Sequence, residues 1–207
     1  RNTMTRFYFA RRCIAFVRAI AALFLFTGVC VFSASAQDAP PRLEFADKTV
    51  LNVDATSLDL KIENVPPREY PHMNYRSLVR FEDGAREWAA SRFMLTGNSV
   101  NTLRVTARKG DIVEKLLPVK KGIRGWFTKD QVAEYEATLE LEVAIVDPNG
   151  KALSSASGKS TNTRTVPEGT TEAEKQEVWT AMILAAFNAL DSELQPQVRQ
   201  AMAEYIR

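Results

Sequence analysis

The sequence predicts an α+β fold, a two-layer sandwich whose mainly antiparallel sheet is covered on one face by helices, in the order β-α-β-β-β-α-α. Three observations lead there. Residues 133–145 place Ala133, Tyr135, Ala137, Leu139, Leu141, Val143 and Ile145 at odd positions, and Glu134, Glu136, Thr138, Glu140 and Glu142 at even ones. Such a period of two gives a strand one dry and one wet face. Residues 78–93 and 171–190 instead space their apolar side chains by three and four, as helices do. Turn signals such as "DPNG" separate these segments.

The chain divides into a front segment at 1–36, a flexible lead-in at 37–56 and a single α+β domain at 57–207. The front segment holds Arg1, Arg6, Arg11, Arg12 and Arg18 and no acid, then the apolar run "IAALFLFTGVCVF" and a small-residue site at Ala34 and Ala36. A basic stretch, a short apolar run and an A-x-A site describe a secretory signal peptide, so the chain is expected to be exported to the periplasm. Met4 is one candidate initiator. Cleavage after Ala36 removes five of the 27 basic residues and none of the 25 acidic ones, leaving 22 against 25 and a formal net charge of −3. The basic balance of the whole chain therefore belongs to the leader, and no nucleic-acid footprint remains. Cys13 and Cys30 leave with it, so no thiol, disulfide or cysteine metal site is expected afterwards. "LFTGVC" is similar to a lipoprotein cleavage box, which offers anchoring through Cys30 as the alternative. Val29 stands where that box usually has a small residue.

The domain opens with "SLDLKIEN", where Leu58, Leu60 and Ile62 alternate with Asp59, Lys61 and Glu63, a half-buried strand. "VPPREYPHMNYR" has three prolines and reads as an extended connector over the surface. A helix over 78–93 follows, with Leu78, Phe81, Ala85, Trp88, Ala89 and Phe93 on one face and Gly84 as a modest weakness. "LRVTARKGDIVEKLLP" reads as one bent strand with a bulge near Gly110, in preference to a hairpin across "RKGD". After the strand at 133–145, "KALSSASGKSTNTRT" turns back as a serine- and threonine-rich strand at or near an edge. Thr171 and Glu174 form a capping box for a helix to about Leu190. Its apolar residues cover an arc of roughly 200° at 100° per residue, so it is wedged between the sheet and another element. A short terminal helix is expected after Pro196.

The run "YEATLELEVAIVDPNGKAL", its small-residue strand and "VWTAMILAAFNALDSEL" resemble the C-terminal half of small exported envelope proteins and lipoproteins of Gram-negative bacteria. Among these are the auxiliary lipoproteins of ABC-type lipid transport and the penicillin-binding-protein activator lipoproteins. "GIRGWFTKDQVAEYEA" and "RTVPEG" look closer to uncharacterised exported proteins of the same build. The resemblance spans about 78–194 and brings no site residues. It implies a non-catalytic accessory role in the envelope.

Catalytic readings find little support. "SGKS" at 157–160 ends like a phosphate loop, but Leu153 stands where that loop needs glycine, so no nucleotide is expected. His72 is the sole histidine and lies in the connector, away from any nucleophile-elbow pattern. No cofactor and no metal are expected. The glutamates at 134, 136, 140 and 142 alternate at about 6.5–7 Å, too far apart to hold one ion without help. Arg104 and Arg108 would instead meet them across strands.

The candidate site is "KKGIRGWFTKDQ", where Lys120, Lys121, Arg124 and Lys129 surround Trp126 and Phe127. Either the aromatic pair tucks over the open end of the core, or the loop protrudes toward an envelope protein partner or anionic lipid headgroups. The edge strand 152–165 is a second docking candidate, by strand addition. The alternative function is a carrier of an apolar small molecule or lipid, suggested by the wide apolar arc around Trp179 and Phe187.

Overall fold

The computed structural model describes residues 43–118 and 131–207. In chain order the elements are β1 (Leu51–Val53), β2 (Ser57–Ile62), α1 (Phe81–Arg92), β3 (Phe93–Leu95), β4 (Thr102–Leu116), β5 (Gln131–Val146), β6 (Ala152–Pro167) and α2 (Glu172–Ala201). The fold is α+β. The main sheet runs β2-β4-β5-β6, with β2 parallel to β4 and the other two pairings antiparallel. The parallel step from β2 to β4 needs a crossover, and α1 lies within it. Two short strands that carry no local signal, β1 and β3, form a separate parallel pair.

β5 sits in the middle of the sheet because its odd residues are all apolar. All seven from Ala133 to Ile145 are buried, while its four glutamates lie on the other face, half-buried or exposed. β4 is one strand, bent as expected, and the register shift falls between Ala107 and Lys109. Before this bulge Leu103, Val105 and Ala107 align with Ile145, Val143 and Leu141; after it Gly110 and Ile112 align with Leu139 and Ala137. The inward set thus changes from odd to even residues. Gly110 is not the hinge. A Cβ there would stand 2.5 Å from the Phe81 Cβ, so the glycine lets α1 sit down on the sheet.

The wide apolar arc of α2 is filled by protein on both sides. Trp179, Met182, Ile183, Phe187, Leu190 and Leu194 are buried. Tyr135 meets Trp179 edge-on at 5.5 Å, and from the opposite side Phe45 meets Phe187 at 5.7 Å. Gly84 of α1 packs against the Phe187 ring, where a Cβ would approach to 2.5 Å. Its role is close approach, beyond the modest helix weakening expected of it. The capping box of Thr171 and Glu174 is present. The helix continues through Pro196 where a break was expected; Pro196 and Ser192, whose carbonyl loses its partner, are both exposed. Water can satisfy a carbonyl on that side.

Two segments expected on the surface are packed instead. Within the stretch read as flexible lead-in, Leu43 and Phe45 are buried, the Leu43 N–H donates to Glu87, and the Ala46 N–H donates to Asn188 Oδ1 at 3.0 Å. The proline-rich connector keeps Val65 and Tyr70 exposed but buries Met73. Its backbone continues the β4 edge where β2 stops. The Met73 N–H donates to the Ile112 carbonyl (2.7 Å), the Glu114 N–H to the Pro71 carbonyl (2.8 Å), and the Asn74 side chain bridges Gly110 and Ile112. Without the connector these strand groups would lack backbone partners.

Candidate functional site

β6 is an edge strand of 16 residues, held on one side by β5. Its inward side chains are small and mostly polar: Ser154, Ala156, Gly158, Ser160 and Asn162 align with inward residues of β5. That composition lets α2 come close. Gly158 would place a Cβ 3.4 Å from the Leu194 Cβ, and three β6 side chains donate to helix carbonyls. Ser160 bonds the Ala186 carbonyl (2.8 Å), Asn162 the Met182 carbonyl (3.1 Å) and Ser154 the Ala201 carbonyl (2.5 Å). The pairing with β5 runs regularly from Ala133 and Val166 to Ile145 and Ser154. Proline enters only at Pro167, the end of the strand. Between the strand and α2 lies an open groove of about 450 Å³, lined by Ser155, Ala156, Gln197, Gln200 and Ala201.

The six residues of the sequence-predicted site, Lys120, Lys121, Arg124, Trp126, Phe127 and Lys129, lie outside the described residues. The strands that flank them are described. β4 and β5 stay paired out to Leu116 and Ala133, and the Leu117 N–H donates to the Val132 carbonyl at 2.9 Å. At this end the Tyr135 hydroxyl donates to Glu114 at 2.8 Å. Burial, and then the Glu114 carboxylate, push the Tyr135 phenol above its ordinary range. Arg76 stacks over Trp179, 5.9 Å from the ring centroid, and pairs with Glu172 at 2.9 Å. A cavity of about 200 Å³ opens among Glu114, Tyr135, Val166, Thr170 and Lys175.

The outer face of the sheet is the solvated ladder that the alternation implied. Arg108 meets Glu142 at 2.6 Å and Lys115 meets Glu134 at 4.0 Å. Arg104 turns to Asp59 on β2 at 2.8 Å, because its β5 partner in register is Ala144. His72 reaches this face, its Nδ1 2.7 Å from Asp111 Oδ2, while the second oxygen of Asp111 is buried without a hydrogen-bond partner. Among the described residues no hydrogen bond joins His72 to a hydroxyl, and no group of three or more His, Cys, Asp or Glu could hold a metal.

Sequence reasoning missed one polar centre. Arg92 and Asp191 are 1% and 3% exposed and form an ion pair inside the core. The Trp88 indole N–H donates to Asp191 Oδ1 at 2.9 Å, and Arg92 also bonds the backbone carbonyls of Asp47 and Thr49. The signal was present, since Arg92 stands four residues after Trp88 and Asp191 four after Phe187, both on apolar helix faces. The network joins α1, α2 and the segment before β1. It ties these three segments together, and only Asp47 of its members borders an open groove, beside Lys48 and Glu87.

No protein-family model and no curated protein sequence matches the chain. Among the described residues no helix is long and apolar enough to cross a membrane. Solved structures similar to it include a minor lipoprotein from Acinetobacter baumannii, with 15% identity and a TM-score of 0.38, over 73% of this chain and 93% of that one. A homologue of the neuraminyllactose-binding hemagglutinin from Helicobacter pylori has 10% identity and a TM-score of 0.32, over 79% and 94%. A lipoprotein from Caulobacter crescentus has 10% identity and a TM-score of 0.30, over 70% and 88%.

Proposed function

We propose that this chain is a non-catalytic accessory protein of the cell envelope that docks to a protein partner by strand addition at β6. The long regular free edge of β6 carries this reading. Exposed edges are ordinarily blunted by proline, bulges, short length or charged side chains; β6 has two cations, Lys159 and Arg164, and register breaks only near its two ends, and the long uninterrupted stretch between those breaks is a template for another strand. The secretory signal supplies the compartment, periplasmic or anchored through Cys30. Residues 120–129, between β4 and β5 in the chain, offer a second contact, with Trp126 and the neighbouring cations suited to a protein surface or to anionic headgroups. The carrier alternative loses its motive, because the apolar arc of α2 is occupied by the sheet, Phe45 and α1.

Photo-crosslinking residues placed one at a time at Ser157, Thr161 and Trp126 in the exporting cell test the proposal. A discrete adduct with one envelope protein from the β6 positions is the expected result. Adducts from Trp126 alone would move the docking site to residues 120–129, and none from any position would remove the accessory role.

A further inference from the structure

We infer that the segment received by β6 is a foreign extended polypeptide with an acidic side chain opposite Lys159. The inference rests on the accessory reading above and adds the partner's chemistry. Across the outer face one row of the sheet reads Lys109, Glu140, Lys159, each residue in register with the next. The signs alternate strand by strand and stop at a cation on the free edge. Lys159 has no ion pair among the described residues. Opposite charges placed directly across strands attract and like charges repel, so the next strand in this row is favoured when it carries an acid.

Among the other outward positions Leu153, at the start of the strand, is an exposed apolar side chain, and the rest do not discriminate. Ser155, Ser157, Thr161 and Thr163 carry hydroxyls that suit most neighbours. Along the free edge, the groove between Ser155, Ala156 and the Gln197, Gln200 and Ala201 end of α2 leaves room for side chains of the incoming strand. A second copy pairing β6 against β6 fits poorly. From Ala152 to Pro167 the strand has Lys159 and Arg164 and no acidic residue, so no register of a self-pair answers either cation.

The test uses the processed exported chain and synthetic nonapeptides of alternating threonine and valine, with Glu, Gln or Lys at the centre. Binding is followed by backbone amide shifts and by anisotropy of a labelled peptide. The central-Glu probe is expected to shift the amides of 154–163 and to bind about two- to fivefold more tightly than the central-Lys probe. Lys159→Glu, on a solvated position, should reverse that order. Equal binding of all three probes, shifts confined to other elements, or no reversal in Lys159→Glu overturns the inference. The in-cell crosslinks separate it from the reading beneath it. A trapped partner whose interacting strand lacks an acid sinks the charge rule and leaves the accessory role standing. An adduct of twice the chain's own mass shows a second copy and sinks the foreign partner.

Discussion

The Arg92–Asp191 pair is the residue-scale feature with the largest consequence. Removing one member strands the other charge in the core. Arg92→Met or Asp191→Leu alone is expected to cost about 3–5 kcal/mol, while the double substitution should recover only part of the loss, since it removes the stranded charge but leaves the buried Trp88 N–H without its acceptor. Urea titration of the four proteins completes the cycle. Tyr135 makes a pH prediction. Its folded-state pKa is raised, so the folded form keeps a proton that the unfolded chain loses above pH of about 10. That stabilisation is intact below this pH and is lost as pH rises through it. Tyr135→Phe should therefore show a shallower alkaline fall in urea midpoint than the parent. A Cβ added at Gly84 or at Gly110 would stand 2.5 Å from an atom of the Phe187 or the Phe81 side chain. Alanine at either is expected to cost about 1–3 kcal/mol by overpacking, although Gly84→Ala gains about 1 kcal/mol in helix propensity. Gly158→Ala would bring its Cβ into ordinary van der Waals contact, 3.4 Å from the Leu194 Cβ, and should be near neutral by the same titration.

At the scale of elements, legibility followed local pattern. β5 could be read because its alternation is dictated by its own burial, and α2 because Thr171 and Glu174 announce its start. The place of β6 at the edge was readable from its lack of apolar bulk. The reason for its small residues was not, because Ser154, Ser160 and Asn162 answer to carbonyls 20 or more residues away. β1 and β3 gave no signal, being three residues each and paired to one another across more than 40 positions. The connector misled for a related reason. Its prolines forbid helix, but they do not prevent Pro71 and Met73 from bonding a strand edge with the groups they retain. The cations and the aromatic pair at 120–129 mark a candidate site by composition, and they lie outside the described residues. Ser160→Ala and Asn162→Ala each remove a donor to α2 and should cost about 0.5–1.5 kcal/mol, measurable by denaturation, with added amide exchange along 182–190.

For the molecule as a whole, stability depends on the chain before β2. Leu43 and Phe45 close the side of α2 that the sheet cannot reach, and Arg92 draws in the carbonyls of Asp47 and Thr49. Phe45→Ala should cost about 3–5 kcal/mol, and a chain trimmed to begin at residue 57 should fail to unfold cooperatively on heating. The extra residue at Arg108 has a further consequence. β4 is written in two frames, with its inward letters odd on one side of that position and even on the other. Deleting Arg108 would merge the frames with both halves still facing the right way, because Ala107, Lys109, Gly110, Asp111 and Ile112 would then alternate in and out opposite the unbroken run from Leu141 to Ala137. One missing residue there should therefore leave the core faced as it is and remove only the local twist and the Arg108 pair with Glu142, so urea denaturation should find it milder than the loss of one residue from the middle of β5, where no bulge can absorb the slip.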